Sequence, residues 1–351
     1  AFIKEEIFLT CKKFRTFETV SIMIYMMDKL IAHFPHQLKE ALQIAQGFLP
    51  SIHKEKIKNI VITGMGGSGI GGTFAQEYTY PHSALPIIVN KSYHLPAFVD
   101  AHSLVIASSY SGNTEETMSC IQDGLQKKAQ IIAITSGGQL EKICQEHRLP
   151  VVLIPRGFPP RTCLGYSFVQ ILHILSCMNL TPAHWQKDVI SAADSLLQHQ
   201  DDIKTSARQI AARIHQTFSI IYTLHSEALA LRLRQQLNEN SKVLCTHHII
   251  PEMNHNELVG WKNLYAPHSV IVLRTDFDLP QNIKRYYFCK NIFMKHKIPV
   301  IELKAQGKTI LQQWLYLVHL SDWISFELAL LNKEDAVEVQ VIEALKHQLS
   351  Q

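Results

Sequence analysis

The sequence predicts an α/β protein built from two doubly wound, flavodoxin-like parallel-sheet domains in tandem. Three observations support this fold class. Short β-branched runs recur along the chain and are apolar at nearly every position, as in strands whose two faces are both buried. Helix-length segments separate these runs, so strands and helices alternate. The rhythm occurs twice within 351 residues, a length that favours two domains.

The first series of strands lies in a predicted domain of residues 27–180. Thr114–Lys128, between the third and fourth runs, is predicted as a helix because Thr-Glu-Glu opens its first turn. A segment rich in proline, glycine and arginine, RGFPPRTCLGYSF, leads into a further helix that ends near residue 180. The five strands are expected at 59–65, 85–90, 103–109, 130–136 and 150–155.

The second series occupies a predicted domain of residues 181–351, after a break at Thr181-Pro182. Residues 185–216 are predicted as one long amphipathic helix. The other expected elements are strands at 217–224, 241–246, 269–275 and 299–305, and closing helices at about 309–332 and 338–349. The two series show no obvious sequence identity but share one order of elements, which favours two copies of one architecture.

Composition argues against several classes of protein. Net charge is only +4, without a dense Lys/Arg stripe, so a nucleic-acid binder is not expected. The seven cysteines are widely scattered and form no C-x-x-C pair, which favours buried thiols in a reducing cytoplasm. No apolar run approaches about 18 residues, so we expect no membrane-spanning helix.

Residues 1–26 are predicted as an extension to which no role is assigned. The stretch FETVSIMIYMM, residues 17–27, follows three basic residues and so resembles a weak signal sequence. Its apolar part is short, and no small-residue cleavage site follows. The segment MDKLIAHFPHQLKEAL, from Met27, reads instead as a natural protein start.

A glycine-rich loop follows the first predicted strand. In VITGMGGSGIGG, residues 61–72, six glycines lie within nine residues. Gly64 to Gly69 satisfies G-x-G-x-x-G, which alone indicates a dinucleotide fold. Asn90-Lys91 stands where an acidic residue should bind the ribose, but lysine suits a 2′-phosphate, so an NADP-dependent reductase remains an alternative. No Gly-Lys-[Ser/Thr] follows, which excludes a P-loop.

A hydroxyl-rich turn, SSYSGNTE, follows the third predicted strand and precedes a helix. Free backbone N–H groups and the helix dipole attract anions at such a place. Ser109, Ser111 and Thr114 add side-chain donors. Together with Gly67 and Ser68 of the first loop they predict a neutral nest for a phosphomonoester. The alternative is that Thr114 is only a helix cap and the serines fill the loop.

The two loops, GMGGSGIGG and SSYSGNTEET, resemble the phosphosugar-binding loops of sugar isomerase (SIS) domains. Three later stretches, PRGFPPRTCLGYSF, NENSK and PEMNHNELVGW, resemble the bifunctional phosphoglucose/phosphomannose isomerases. The resemblance extends from about residue 27 to the C-terminus. It implies two SIS domains that interconvert glucose 6-phosphate, and mannose 6-phosphate, with fructose 6-phosphate. The implied reaction is a cis-enediol proton transfer without metal or cofactor.

Such a reaction needs a base that moves a proton between C2 and C1. The resemblance identifies Glu239, in LNENSK, as this base. From its place between a predicted helix and the strand KVLCT, we expect it at the carboxyl edge of the second sheet, where ligands of α/β folds gather. A solvated glutamate at a helix end is the alternative.

The resemblance implies three further catalytic residues. His255 would open the sugar ring, and the family typically supplies this histidine from the partner subunit, which implies a homodimer with shared sites. Arg161 would stabilise the enediolate, whereas Arg156 is expected on the surface. Lys346, in the closing helix, would contact the substrate.

Other readings stay open. The sequence departs from the family where Asp335 is followed by Ala336-Val337 instead of a proline-containing turn, and residues there help decide tolerance of the C2 epimer. The anchor loops would equally suit a phosphosugar sensor that does not catalyse. A zinc site is a further alternative, because carboxylate and imidazole side chains cluster at His247, His248, Glu252, His255 and Glu257. The lack of a helical i, i+4 histidine pair in this cluster argues against it.

Overall fold

The computed structural model describes residues 27–349. The predicted extension, residues 1–26, lies outside the described residues, as do the last two residues. Residues 27–32 are helical and lead into α1 (Phe34–Gln46). The apolar face of α1 is buried in the core of the protein.

Five parallel strands form the first sheet, in the order β2-β1-β3-β4-β5. They are β1 (Asn59–Thr63), β2 (Ile87–Asn90), β3 (Ser103–Ser109), β4 (Gln130–Thr135) and β5 (Val151–Leu153). The helices between them are α2 (Gly66–Thr79), α3 (Glu115–Gln126) and α4 (Gly138–Glu146). All seven residues of β3 are buried, because helices cover both faces of this central strand.

Three helices connect the first sheet to the second: α5 (Leu164–Cys177), α6 (Trp185–Gln198) and α7 (Gln200–Ile214). The prediction of a single helix over 185–216 is therefore wrong. At His199 (φ −106°, ψ 18°) the backbone leaves the α-helical region. Neither proline nor glycine marks the break, and the acidic residues Asp201 and Asp202 in the first turn of α7 are its local signal.

The second sheet has four parallel strands in the order β7-β6-β8-β9. Its elements are β6 (Phe218–Thr223), α8 (Glu227–Ser241), β7 (Cys245–Ile249), β8 (His268–Arg274), α9 (Pro280–Lys295) and β9 (Val300–Lys304). The predicted strand 241–246 is displaced, because α8 continues to Ser241 and ends at Lys242, which adopts the left-handed conformation (φ 58°). Leu244, within the predicted strand, is 82% exposed.

Two helices follow the second sheet, α10 (Ile310–Asn332) and α11 (Gln340–Leu349), close to the predicted bounds. Every residue from Gln313 to Ala329 is buried, since α10 packs against α6, α7 and α8. In contrast, no residue of α11 is buried. Within residues 27–349, no helix is long and apolar enough to span a membrane.

Each sheet changes winding direction between two adjacent strands, β1 and β3 in the first and β6 and β8 in the second. The two sheets confirm the predicted fold class of two doubly wound domains. In such folds, ligands bind outside the carboxyl ends of the strands at the switch point. The fold therefore offers two places for a small ligand, one in each sheet.

Candidate active site

The two predicted phosphate loops meet at the switch point of the first sheet. Ser68, in the first turn of α2, accepts a hydrogen bond through its Oγ from the backbone N–H of Tyr110 (3.0 Å). This bond joins the loop after β1 to the loop after β3. The structure thus brings together the two segments from which the sequence predicted one anion nest.

The hydroxyl groups of the second loop are close to one another. Ser109 Oγ lies 2.9 Å from Thr114 Oγ1, and Ser111 Oγ accepts from the backbone N–H of Asn113 at 3.3 Å. Thr114 occupies the N-cap position of α3, but its side chain makes no cap bond. The N-terminus of α2 also lacks a side-chain cap. Both helices consequently keep first-turn N–H groups for an anion.

Gly67 allows a third segment to approach these loops. A Cβ atom at this position would lie 2.6 Å from the carbonyl oxygen of Pro160 and 3.1 Å from Cα of Arg161. Any side chain here would therefore displace the turn that carries Arg161. Besides its predicted place in the phosphate nest, Gly67 therefore allows this close packing of one backbone segment on another.

Arg161 joins the nest to the second domain. Its buried guanidinium donates from Nε to Oδ1 of Asn240 (2.7 Å), and Nη1 lies 3.4 Å from Oε2 of Glu239. Nη2 donates to the carbonyl oxygens of Ala336 (2.6 Å) and Val337 (3.0 Å). Burial lowers the pKa of Arg161, whereas the charge of Glu239 acts in the opposite direction. Asn240, Glu239 and the backbone carbonyl groups of residues 336–337 therefore hold the guanidinium group of this arginine.

Arg156, the other arginine of the same segment, is exposed and pairs with Glu141 (Nη2–Oε2 2.8 Å). This confirms the prediction that it is a surface residue. Ala336 and Val337, the residues at which the sequence departs from the family turn, form a turn held by Asp335, whose Oδ1 accepts from the N–H of Val337 (2.8 Å). The departure therefore lies directly against Arg161.

Glu239 lies in the last turn of α8 and is partly buried. Because α8 returns from the carboxyl end of β6 to the amino end of the parallel strand β7, Glu239 lies at the amino edge of the second sheet. The expected position at the carboxyl edge is wrong. The contact with Arg161 places the carboxylate beside the carboxyl edge of the first sheet instead.

Two residues that fix Arg161 were not assigned a role from the sequence. Asn240, fully buried, accepts from Arg161 and donates from Nδ2 to Ser325 Oγ (2.9 Å). Arg232 donates to the backbone carbonyl of Arg161 (2.9 Å) and pairs with Asp322 (Nη2–Oδ2 2.8 Å). Asn240 stands next to Glu239 in the NENSK motif, which is the only local signal of its role.

His255 is not brought to Glu239 within one chain. It lies at the end of a short 3-10 turn, Glu252–His255, and is exposed. This turn follows β7, at the carboxyl edge of the second sheet, whereas Glu239 precedes that strand. The five residues of β7 separate the two positions by about 16 Å along the strand.

Two of the five residues considered for zinc, His248 and Glu257, are hydrogen-bonded to each other. His248 Nδ1 lies 2.9 Å from Oε2 of Glu257, and the hydroxyl of Tyr222 donates to the other oxygen of that carboxylate. Trp261 Nε1 donates to the same hydroxyl (3.1 Å). In the described part of the chain, no group of three or more His, Cys, Asp or Glu side chains is arranged to hold a metal ion.

Lys346 lies on α11, which is exposed along its whole length. Within residues 27–349, the structure shows no hydrogen bond or ion pair between Lys346 and Arg161 or Glu239. Ile342, Leu345 and Leu349 share one face of this helix at i, i+3 and i+7, and all three are exposed. The helix thus presents an apolar face that no residue of the described range 27–349 covers.

Two doubly wound sheets in tandem, with a hydroxyl-lined nest at the switch point of the first, define a protein of the SIS class. Residues 203–349 match the family described as bacterial phospho-glucose isomerase C-terminal SIS domain. The C-terminal domain of glucosamine-fructose-6-phosphate aminotransferase from Francisella tularensis has a similar fold. Its TM-score is 0.73 at 16% identity, covering 89% of this chain and 97% of that chain.

Sequence similarity to two isomerases identifies the family within this class. A bifunctional phosphoglucose/phosphomannose isomerase from Caldicellulosiruptor bescii is 33% identical, covering 93% of this chain and 99% of that protein. One of the same name from Aquifex aeolicus is 36% identical, covering 89% of this chain and 99% of that protein. The chain belongs to the bifunctional phosphoglucose/phosphomannose isomerase family, as the sequence motifs indicated.

Proposed function

We propose that this protein is an isomerase that interconverts glucose 6-phosphate, and also mannose 6-phosphate, with fructose 6-phosphate. One observation carries the proposal. The turn of Arg161 packs on Gly67 in the phosphate nest, and the guanidinium of Arg161 lies 3.4 Å from the carboxylate of Glu239. A phosphate anchor, a cation and a base therefore adjoin one another. Membership of the isomerase family supports the substrate class.

The nest would hold the phosphate group and so fix the sugar at one end. Ser109, Ser111 and Thr114 offer hydroxyl groups, and the first turns of α2 and α3 offer backbone N–H groups. Ser68 holds the two loops together through Tyr110. A dianion is thereby bound by neutral donors, which leaves the cationic Arg161 for charge that forms at the other end of the sugar.

Proton transfer is assigned to Glu239. In the open-chain aldose, this carboxylate removes the C2 proton to form a 1,2-enediolate. The hydroxyl proton of O2 passes to O1, and the carboxylate returns its proton at C1 to give the ketose. Arg161 stabilises the negative charge on the enediolate oxygens. Its Nη1 is the arm that is not bonded to Asn240 or to a backbone carbonyl, so it is the one available to the substrate. Glucose and mannose 6-phosphates give the same enediol, because they differ only at C2.

Ring opening is assigned to His255 of a second copy, and we place the protein in solution as a homodimer. Two observations support this. His255 and Glu239 occupy opposite edges of the second sheet, so one chain does not complete the site. The apolar face of α11, with Ile342 and Leu345, lacks a cover within the described residues. Lys346 would reach the substrate when this helix docks.

These side chains supply every step of the reaction, so the proposal includes neither a metal nor an organic cofactor. We place the boundary between the two domains near residue 180, in the segment between α5 and α6. We assign the protein to the cytoplasm, which suits the free cysteines of the described chain, such as Cys120 and Cys144. Neither nucleic acid nor membrane is a proposed partner.

A coupled assay tests the proposed function. Purified protein is given glucose 6-phosphate and, separately, mannose 6-phosphate in the presence of EDTA, and fructose 6-phosphate formation is followed. We expect turnover of both aldoses at a rate that EDTA does not change. Binding of the sugar phosphates without turnover would instead identify a phosphosugar sensor.

A further inference from the structure

A cavity of about 670 Å³ lies at the switch point of the second sheet. His225 follows β6, Phe277 follows β8, and Lys308 and Thr309 follow β9, so this wall comes from the carboxyl ends of three strands. Ligands of doubly wound folds bind at this place, and the volume is typical of small-molecule sites. No role in the proposed isomerisation uses these residues.

The opposite wall comes from the first domain and the connecting segment. Glu77 and Tyr78 lie in the last turn of α2, Tyr80 follows it, and His184 and Asp188 lie at the start of α6. The helix α2 begins at the phosphate nest and ends at this cavity, and its 14 residues span about 21 Å. The cavity is therefore a separate site from the candidate active site.

Aromatic rings form much of the lining. Trp314 is buried with its ring centroid 6.0 Å from that of His225, whereas Tyr80 and Phe277 are 83% and 40% exposed. Burial lowers the pKa of His225, which favours the neutral imidazole. Its planar ring forms part of the cavity wall. Large aromatic side chains left open to solvent beside a cavity suit a planar ring that stacks on them.

One end of the cavity carries Lys308, and the rest of the lining includes the carboxyl groups of Glu77 and Asp188. Lys308 is exposed and immediately precedes Thr309, the N-cap residue of the 23-residue helix α10. The Thr309 side chain accepts a hydrogen bond from the backbone N–H of Gln312 and so caps the helix. The dipole of this long helix nevertheless favours an anion near its N-terminus. Lys308 adds a mobile ammonium group to this end, and the exposed His82 lies on the same lining. Together these groups suit a phosphate.

Two buried polar atoms on the lining residues lack a hydrogen-bond partner in the described chain, Asp188 Oδ2 and Trp314 Nε1. Asp188 is only 7% exposed. The imidazole Nε2 of His184 lies 3.5 Å from its Oδ2, and the side chain of Thr309 also bonds to this carboxyl group. A buried acceptor and a buried donor left without partners are rare in native proteins and mark a place where a ligand or water completes the bonding. A sugar hydroxyl or a base amino group would donate to Asp188.

We propose that this cavity binds a nucleoside monophosphate, with the base among Tyr80, His225, Phe277 and Trp314 and the phosphate at Lys308. A planar heterocycle, polar edges and one phosphate are the three features that the lining matches together. A free sugar phosphate offers no flat face for the rings, and inorganic phosphate fills only the charged end.

Direct binding tests this site without reference to turnover. AMP, GMP and UMP are titrated calorimetrically into the wild-type protein, with adenosine and inorganic phosphate as the two fragments. We expect a nucleoside monophosphate to bind about tenfold or more tightly than either fragment. It should also bind when fructose 6-phosphate saturates the phosphate nest. No binding of any of the three nucleotides up to about 1 mM, or their displacement by fructose 6-phosphate, would overturn the proposal.

Variants locate the bound nucleotide. Lys308→Glu should weaken its binding about 10- to 100-fold, the loss expected for a charge-assisted contact. Lys295→Glu, an exposed lysine at the end of α9 and outside the cavity, is the control and should bind as wild type. Thr114→Val should weaken the binding of fructose 6-phosphate but not the binding of the nucleotide. Unchanged nucleotide affinity in Lys308→Glu, with sugar phosphate binding retained as proof of folding, would contradict the site.

Discussion

Arg161 and Asn240, 79 residues apart in sequence, are joined by a buried hydrogen bond of 2.7 Å from Nε to Oδ1. This bond sets the plane of the guanidinium, because a second bond from the same fork goes to the carbonyl oxygen of Ala336. Glu239, next to Asn240 in the chain, is thereby held opposite the remaining arm. The geometry of the proposed base and its cation thus depends on two adjacent residues of one helix end.

Replacing Asn240 should impair turnover more than substrate binding. Asn240→Ala removes the acceptor for Arg161 and leaves Ser325 Oγ without its donor, so we expect a loss of about 1–3 kcal/mol in the free energy of unfolding. The value of kcat should fall while KM changes little, since the phosphate nest is intact. Steady-state kinetics and thermal unfolding measure both effects.

Asn240→Asp provides the conservative comparison. It keeps an oxygen acceptor for Arg161 Nε, so it should recover part of kcat relative to alanine. Asn238→Ala, which removes a local bond to the carbonyl of Val243, is the matched control and should retain kcat. Equal kcat values for the alanine variant and the wild type would contradict a positioning role for Asn240.

A methyl group at position 67 should disturb the contact between the phosphate nest and the turn that carries Arg161. The Cβ atom of Gly67→Ala would lie 2.6 Å from a backbone oxygen, which cannot rotate away, so the turn at Arg161 must shift. We expect a higher KM for hexose 6-phosphates, and a loss of about 1–3 kcal/mol in stability from overpacking. Gly260→Ala, where a Cβ meets nothing within 4 Å, serves as the control. A wild-type KM in the Gly67 variant would show that this contact is dispensable.

The stability of the protein should depend on the ionisation of Glu77. Burial raises the pKa of this carboxyl from its ordinary value of 4.5 to about 7, against hydrogen bonds from Ser226 and the N–H of Ala228. Because the folded state holds the proton more tightly, this contribution is complete below pH 4.5 and is lost as the pH rises through about 7.

Glu77→Gln tests this dependence because the amide carries no charge. Its oxygen can accept from the N–H of Ala228, and its NH2 group can donate to the hydroxyl oxygen of Ser226. The Tm of the variant relative to wild type should increase as the pH is raised from 4.5 to 8, and thermal unfolding at several pH values measures it. Glu55→Gln, an exposed glutamate in a short turn, is the control and should show no such trend. A Tm difference that is independent of pH would refute the raised pKa.

Mixing two inactive variants tests the shared site. Glu239→Gln and His255→Ala chains are each expected to lack turnover, but a mixed dimer has one site with both native residues. Subunit exchange at equal amounts should therefore restore about a quarter of wild-type turnover. If both residues act from the same chain, the mixture stays inactive. Leu345→Asp, on the exposed face of α11, should give a smaller mass in solution if this face forms the interface.

The parts of the molecule that local patterns specify were predicted correctly. The near-continuous apolar runs located every strand of the two sheets except β7, which begins at Cys245 and not at residue 241. The glycine and hydroxyl loops meet as expected, because in each of them strand, turn and helix N-terminus are consecutive in the chain. Their binding of a phosphate group stays a prediction. The break at His199 was missed because no proline or glycine marks it.

The arrangement around the proposed base depends on contacts that the sequence does not reveal. Arg232 and Asn240 act on Arg161 from 71 and 79 residues away, and a buried arginine in a helix has no local pattern that indicates its target. Glu239 was expected at the other edge of its sheet, but a residue between a helix and the following parallel strand lies at the amino edge. The roles of His255 and Lys346 rest on the family resemblance and on a second copy of the chain.

The substitution Glu239→Gln tests the central claim most directly. Turnover of glucose 6-phosphate and the affinity for fructose 6-phosphate are measured on the same preparation, with Glu55→Gln as the control. An amide cannot take the C2 proton, so kcat should fall by at least about a hundredfold, while the phosphate nest keeps the affinity near that of wild type. Wild-type turnover in Glu239→Gln would contradict the assignment of Glu239 as the base.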